Sequence, residues 1–424
     1  MKHIACLFCF FVLFNCVTAA QEPHWNQWRG PKNTNHSFST GIAQSWTTEG
    51  PKLLWKIKTI GAGYSNLCFW GDVIFTMGDV GDQCWAFALD RKTGNEVWRS
   101  STPVGKAGSG HGGGRQSVGP LGTPACDGEN VYVFGQYGDF VAFNMKDGNE
   151  KWRKNIVNDL NGSKMAMWGF SQSPILDGDK ILLPIGGDGG TLGAFDNSGK
   201  LLWRSTAIKD PAAYTSVVFA EIGGVRQYVL LTGQSLVGFS PADGRILWKA
   251  AFPGQTAVCS DPAICGDVVM ASGSYEIGAY FYRIAKSQNN FEAVVFKEAL
   301  QELQSHHGGI VAVGDHFYLM RGGRGGPRPG LVCVEAKTGT IVWTDPSVGK
   351  GSLVYVDGKL ILRSESGDAT IAMVEATPEG YKELGRFNQP ESDRSDMNSW
   401  TYPVVVDNKL YIRDQNVLFC YDLN

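Results

Sequence analysis

No stretch of this 424-residue chain approaches the roughly 20 consecutive apolar residues that a membrane helix requires. The nearest, residues 4–14, is too short to span a bilayer. Charge is scarce and almost balanced, with 19% charged residues and a formal net charge of −3. Neither nucleic acid nor an anionic surface is implied as a partner. Histidine occurs only seven times. No Cys-x-x-Cys-His motif is present, which excludes a covalent c-type haem. What the chain has in excess is glycine, 54 residues where average usage of about 7% would give far fewer, together with 12% aromatics. That mixture suits many short strands joined by tight turns.

The first twenty residues have the organisation of a secretory signal: Lys2 and His3, then the apolar run, then the small-residue segment Val17-Thr18-Ala19-Ala20. A periplasmic or secreted protein is therefore expected. Asn15 is a poor match to the small residue that precedes a lipidated cysteine, so Cys16 is not expected to carry an anchor. Cleavage removes Lys2 and no acid, taking the net charge from −3 to −4. It also removes Cys6, Cys9 and Cys16, and leaves seven of the ten cysteines. Export permits disulfides, and Cys259 with Cys265 is the one pair close in sequence. Most of the others sit in apolar strand patterns, where cysteine acts as a small core residue.

Internal repetition is the strongest signal. From Gly71 the chain reads GDVIFTMGD, then CWAFALD, then RKTGNEVWR; from Gly128, GENVYVFGQYGD, FVAFNM, KDGNEKWR; from Gly178 and Gly224 the pattern recurs. Each unit is strand, turn, strand, turn, strand. Its last strand carries an aromatic: Trp55, Trp98, Trp152, Trp203, Trp248, Phe296, Trp343 and Phe387, at intervals of 43, 54, 51, 45, 48, 47 and 44 residues. A period of about 40–50 residues built from short alternating strands predicts a β-propeller of four-stranded blades. The Thr-Gly and Asp-Gly pairs before these aromatics supply positive φ at hairpin turns.

The ends define the closure. PKLLWKI at Pro51 is an outer strand with no blade in front of it, and VLFCYDLN ends the chain without an outer partner. Each completes the other. The expected fold is all-β, an eight-bladed propeller over residues 51–424 whose N-terminal strand completes the C-terminal blade, preceded by a strap at 21–50 and the signal at 1–20. Trp55 should share a blade with Phe419.

Units ending in Asp-x-x-Thr-Gly-x-x-x-Trp resemble the pyrroloquinoline-quinone (PQQ) repeats of quinoprotein dehydrogenases and of BamB-like outer-membrane assembly factors, over about residues 51–424. The leader WNQWRGPKNTNHS, with KLLWK, HHGG, GKGSL and LYIRDQ, is more similar still to exported PQQ-binding-like propellers. The resemblance implies PQQ as cofactor and calcium as its Lewis acid, with an alcohol or sugar as substrate, or else an envelope protein as partner. The adjacent cysteine pair of the quinoprotein alcohol dehydrogenases is absent, which lowers the expectation of a dehydrogenase. The leading reading is a monomeric exported propeller that binds a small ligand or a protein partner at its channel mouth, without nucleic acid and with catalysis undecided.

In a propeller the segment entering the first strand of each blade faces one mouth of the channel. These segments are GYSN at Gly63, GPLGTP at Gly119, WGFSQSP at Trp168, AYTSV at Ala213, CSDP at Cys259, HHGG at His306, KGSL at Lys350 and SWTYP at Ser399. They bring Tyr64, Trp168, Gln172, Tyr214, Asp261, His306, His307, Lys350 and Trp400 toward one cavity. A planar anionic ligand needs an aromatic floor, offered by Trp168 or Trp400, and cations, offered by Lys350, Arg115, Arg363 and Arg413. Asp261, His306 and His307 are the candidate catalytic groups. Asp261, Glu365 and Asp414 are the candidate oxygen ligands for calcium, although no spacing marks a metal site. Neighbours on a strand point to opposite faces, so one of the two histidines is expected in a channel hydrogen bond and the other beneath a neighbouring blade; a loop would relax that limit and leave a ligand contact, a general base or a metal as the alternatives. The glycine-rich segments GKAGSGHGGGRQ and RGGRGGPRPG lead into no helix and are expected as surface loops.

Overall fold

A computed structural model describes residues 25–108, 119–288, 290–323, 326, 328–365, 369–390 and 399–424. The signal segment, and His111 and Arg115 of the first glycine-rich segment, lie outside the described residues. The chain forms eight antiparallel sheets arranged as blades, at residues 68–99, 125–155, 175–205, 218–251, 263–300, 310–345, 351–388 and 404–422. Seven blades are built in sequence order from inner to outer strand. The eighth is composite: Val404–Val406, Lys409–Asp414 and Val417–Asp422 are joined by Lys52–Ile57 from the other end of the chain. In that pairing Trp55 lies opposite Cys420 and Lys56 opposite Phe419. A two-residue strand, Gly105–Lys106, adds a fifth member to the first blade.

The core is a ring. Among the described residues seven apolar clusters occupy successive blade interfaces, and the largest spans blades seven, eight and one with Trp25 and Ile42 of the strap. The largest cluster therefore surrounds the composite blade, where backbone pairing of Lys52–Ile57 with Val417–Asp422, and not a hairpin, closes the ring.

The repeated aromatics are the fasteners between blades. Trp98 donates its indole N–H to the carbonyl of Met145 at 3.0 Å, and Trp152 donates to Asn197 at 2.8 Å, in each case reaching the outer hairpin of the next blade. The turn glycines have a second duty beyond positive φ. A Cβ on Gly148 (φ +70°) would lie 2.7 Å from the Trp98 ring, and one on Gly94 (φ +76°) would lie 2.9 Å from Trp55. Sequence and packing thus meet at one residue, since only glycine allows both the turn and the ring against it.

Candidate functional site

The segment from Trp25 to Ser37 runs from blade to blade along the inner strands. Phe69 and Cys126 donate backbone N–H groups to the carbonyls of Trp25 and Asn26, at 2.8 and 2.9 Å. Leu176 donates to the Gln27 side chain, and Arg29 Nη2 donates to Ile310 O at 2.7 Å. Asn35 reaches Leu353, and Ser37 Oγ donates to Val405 O at 2.7 Å. Trp28 Nε1 donates to Asp261 Oδ2 at 2.6 Å. Six of these contacts use inner strands and the seventh uses Asp261, which precedes the inner strand of blade five. The strap therefore engages seven of the eight blades and places Trp28 at the base of the remaining space.

That space is a cavity of about 360 Å³. All eight segments that enter the inner strands contribute to its wall: Tyr64 and Asn66, Leu121, Trp168 and Ser171, Tyr214, Cys259, His306 and His307, Lys350, and Trp400 to Tyr402. Tyr275 and Glu365 complete it, from turns between second and third strands. The sequence points to Trp28-Arg29-Gly30-Pro31 as a strap across the propeller without bringing Trp28 into the cavity, and it gives Tyr275 no role. Strand parity was the available signal for Tyr275: after two antiparallel passes the chain returns to the mouth from which it entered.

Across the wall runs a continuous contact series. The Tyr64 ring lies 4.9 Å from Trp400, Trp400 lies 4.2 Å from His307 at 32°, and His307 lies 3.7 Å from His306. His306 Nδ1 then accepts from Lys350 Nζ at 2.9 Å, and Lys350 pairs with Glu365 at 2.6 Å. The two histidines precede the strand Ile310–Val313 in an irregular segment, so strand alternation does not apply. Instead of one facing the channel and one packing beneath a neighbour, both line the cavity. Burial, reinforced by the Lys350 charge, pulls His306 down to about 3; burial and the neighbouring His306 and Lys350 hold His307 well below its ordinary range. Both imidazoles are neutral near pH 7, and neither is a strong proton acceptor. Burial pushes the Tyr64 hydroxyl and the Cys259 thiol up to about 12, so neither is ionised.

Other candidates stand elsewhere. Asp261 is buried outside the wall, where it accepts from Trp28 and from the Ser216 backbone N–H at 2.7 Å, with Arg29 Nη1 at 3.7 Å. Desolvation pushes its carboxyl up against the opposing pull of Arg29. Gln172 is buried and donates to the Ala213 carbonyl. Arg363 and Arg413 are fully buried and donate to backbone carbonyls, including Thr401 and Ser65, rather than facing the cavity. Asp414 is held by Gln389, Ser399 and Arg363. Asp261, Glu365 and Asp414 thus serve separate networks, and among the described residues no three His, Cys, Asp or Glu side chains converge on a metal position. The seven cysteines among the described residues are free thiols, Cys259 and Cys265 included.

These features define a PQQ-type repeat propeller with a pocketed channel. Residues 85–345 match the family model for outer membrane protein assembly factor BamB, and the chain belongs to that PQQ-repeat family. No curated protein matches the sequence. Among solved structures it is similar to quinohemoprotein alcohol dehydrogenase from Comamonas testosteroni, with 12% identity, a TM-score of 0.66, and coverage of 96% of this chain and 81% of that one. BamB from Moraxella catarrhalis has 12% identity, TM-score 0.59 and coverage of 88% and 99%. A computationally designed protein, Ika8, has 12% identity, TM-score 0.57 and coverage of 88% and 100%. At such identities the likeness shows the fold. The described wall offers PQQ a poor fit: its one cation, Lys350, is already paired with Glu365.

Proposed function

We propose that this chain is an exported ligand-binding propeller that holds a small ring-containing molecule at its channel mouth, without turnover of its own. The observation that carries this is the series Tyr64, Trp400, His307, His306, Lys350 and Glu365, contributed by blades one, six, seven and eight to one cavity. Ring faces supply apolar contact of fixed geometry, and the ion pair supplies orientation. Turnover finds little support in the described residues. Asp261 is engaged by the strap, and the neutral histidines are weak bases. The signal-like residues 1–20 and the family's envelope role support export, and no helix among the described residues is long and apolar enough to cross a membrane.

A second reading, a BamB-like assembly scaffold, rests on the family match and on a repeated surface feature. Leu54, Val97, Leu202, Val295 and Val342 each precede an outer-strand aromatic, and all are exposed. They present apolar side chains at matching places around the rim, where a partner strand or loop would add.

A thermal-shift screen of uncharged and charged ring compounds tests the first reading. Hits that stabilise the protein and lose their effect in Trp400→Ala support it; the absence of any hit that depends on Trp400 overturns it. Crosslinking in cell extracts tests the scaffold, which requires a reproducible partner contacting the rim.

A further inference from the structure

We infer that the ligand of this cavity is an uncharged, polyhydroxylated ring, a neutral pyranose or a short chain of them, and that the cavity discriminates against anionic planar molecules. The inference rests on the reading of the cavity as a ligand site, and charge is its first support. Lys350 and Glu365 are the two charged groups of the described wall, and they pair at 2.6 Å. With His306 and His307 neutral, the lining carries no net charge. A tricarboxylate quinone would bring several anions beside Glu365 and find one cation already engaged. Uncompensated carboxylates in such surroundings are strongly disfavoured. Arg363 and Arg413, the obvious further cations, are committed to backbone carbonyls.

Shape is the second support. Trp168 and Tyr214 meet at 72°, Trp28 and Tyr402 at 54°, and Trp400 and His307 at 32°. Within each of these pairs the two rings are inclined to one another, so the aromatic lining presents faces in more than one direction. A puckered saturated ring offers C–H groups to several faces at once, whereas a flat polycycle stacks against one.

The third support is hydrogen-bonding chemistry. Asn66, Ser171 and Thr401 line the space between the rings, and the ion pair sets an ammonium donor beside a carboxylate acceptor. Neighbouring hydroxyls are matched to that arrangement, because each both donates and accepts. A site built to satisfy hydroxyls rejects a ligand that lacks them, since its own polar groups are then left unpaired. A volume of about 360 Å³ lies toward the small end of ligand pockets, which run from about 300 to 1,000 Å³, and fits one or two rings.

The test is calorimetric titration of the purified chain with glucose, N-acetylglucosamine and cellobiose, with glucuronate as the anionic counterpart, menadione as an uncharged flat quinone, and PQQ. At least one neutral saccharide is expected to saturate, with glucuronate and PQQ weaker by about tenfold or more. Trp400→Ala should weaken the saccharide by about tenfold or more, and Trp400→Phe should recover part of the loss. Glu365→Gln leaves Lys350 uncompensated, so it should weaken the neutral sugar and strengthen glucuronate; its melting curve confirms folding. Preference for PQQ or menadione over every saccharide overturns the inference while leaving the cavity as a ligand site. No saturable binding of any probe overturns both.

Discussion

Arg363 in blade seven donates to the backbone carbonyl of Arg413 in blade eight at 2.6 Å, and Arg413 in turn donates to Ser65 and Met77 of blade one. The two guanidinium groups therefore stitch three blades across the point where the chain's ends meet. Their neighbours along the chain are the cavity wall: Arg363 also holds the carbonyl of Thr401, next to Trp400, and Ser65 follows Tyr64. Ring closure and site geometry share one network.

Replacing Arg413 by Ala strands several buried carbonyls, each costing about 1–3 kcal/mol, so a loss of more than about 3 kcal/mol is expected. Urea unfolding measures it. A change below about 1 kcal/mol would mean that the seam does not depend on this side chain.

Trp98→Ala should cost about 3–5 kcal/mol by opening the interface between blades one and two. Gly148→Ala attacks the same contact from the other side, because its Cβ would meet the Trp98 ring in a backbone conformation that alanine disfavours. In the double variant the two losses should fall short of additive, which a double-mutant cycle by urea unfolding detects.

Removing residues 52–57 takes the outer strand from blade eight and exposes the edge at Val417–Asp422. Exposed long edges invite pairing between molecules. Size-exclusion chromatography should show aggregation or a lowered thermal midpoint; an unchanged monomer peak and midpoint would contradict the closure.

Ligand affinity should stay flat between pH 5 and 8. His306 is pulled from 6.5 to about 3 in the folded protein, and His307 shifts the same way, so neither titrates in that window. Their contribution to stability behaves differently. The unfolded chain gains protons below about 6.5 while the folded one does not, so this contribution falls as the pH drops from 6.5 toward 3. Asp79, raised to about 6 chiefly by burial, acts in the opposite sense between 3.8 and 6. Calorimetry at several pH values separates binding from stability; a binding step centred near 6.5 would show that a cavity histidine titrates.

The architecture was legible in the sequence because a propeller repeats its signals. Eight aromatics at near-constant spacing and one orphan strand at each end define the ring without any long-range information. The same frame located the wall, since all eight entry segments reach the cavity. Single side chains were less legible. Arg363 and Arg413 carry the residue type that carboxylates require, but a sequence does not show whether a guanidinium turns toward the axis or into the seam. The adjacent histidines were assigned by strand alternation, which fails in the irregular segment before Ile310. Trp28 entered the site through the strap, whose path has no periodicity to betray it.

Whether the channel mouth binds a ligand is read by saturation-transfer NMR on the purified chain with a mixture of the neutral saccharides, menadione and PQQ. Transfer to at least one probe is expected, saturable with concentration, lost in Trp400→Ala and retained in Val97→Thr on the exposed rim. Absence of transfer to every probe, or equal transfer in Trp400→Ala, would contradict a ligand site there.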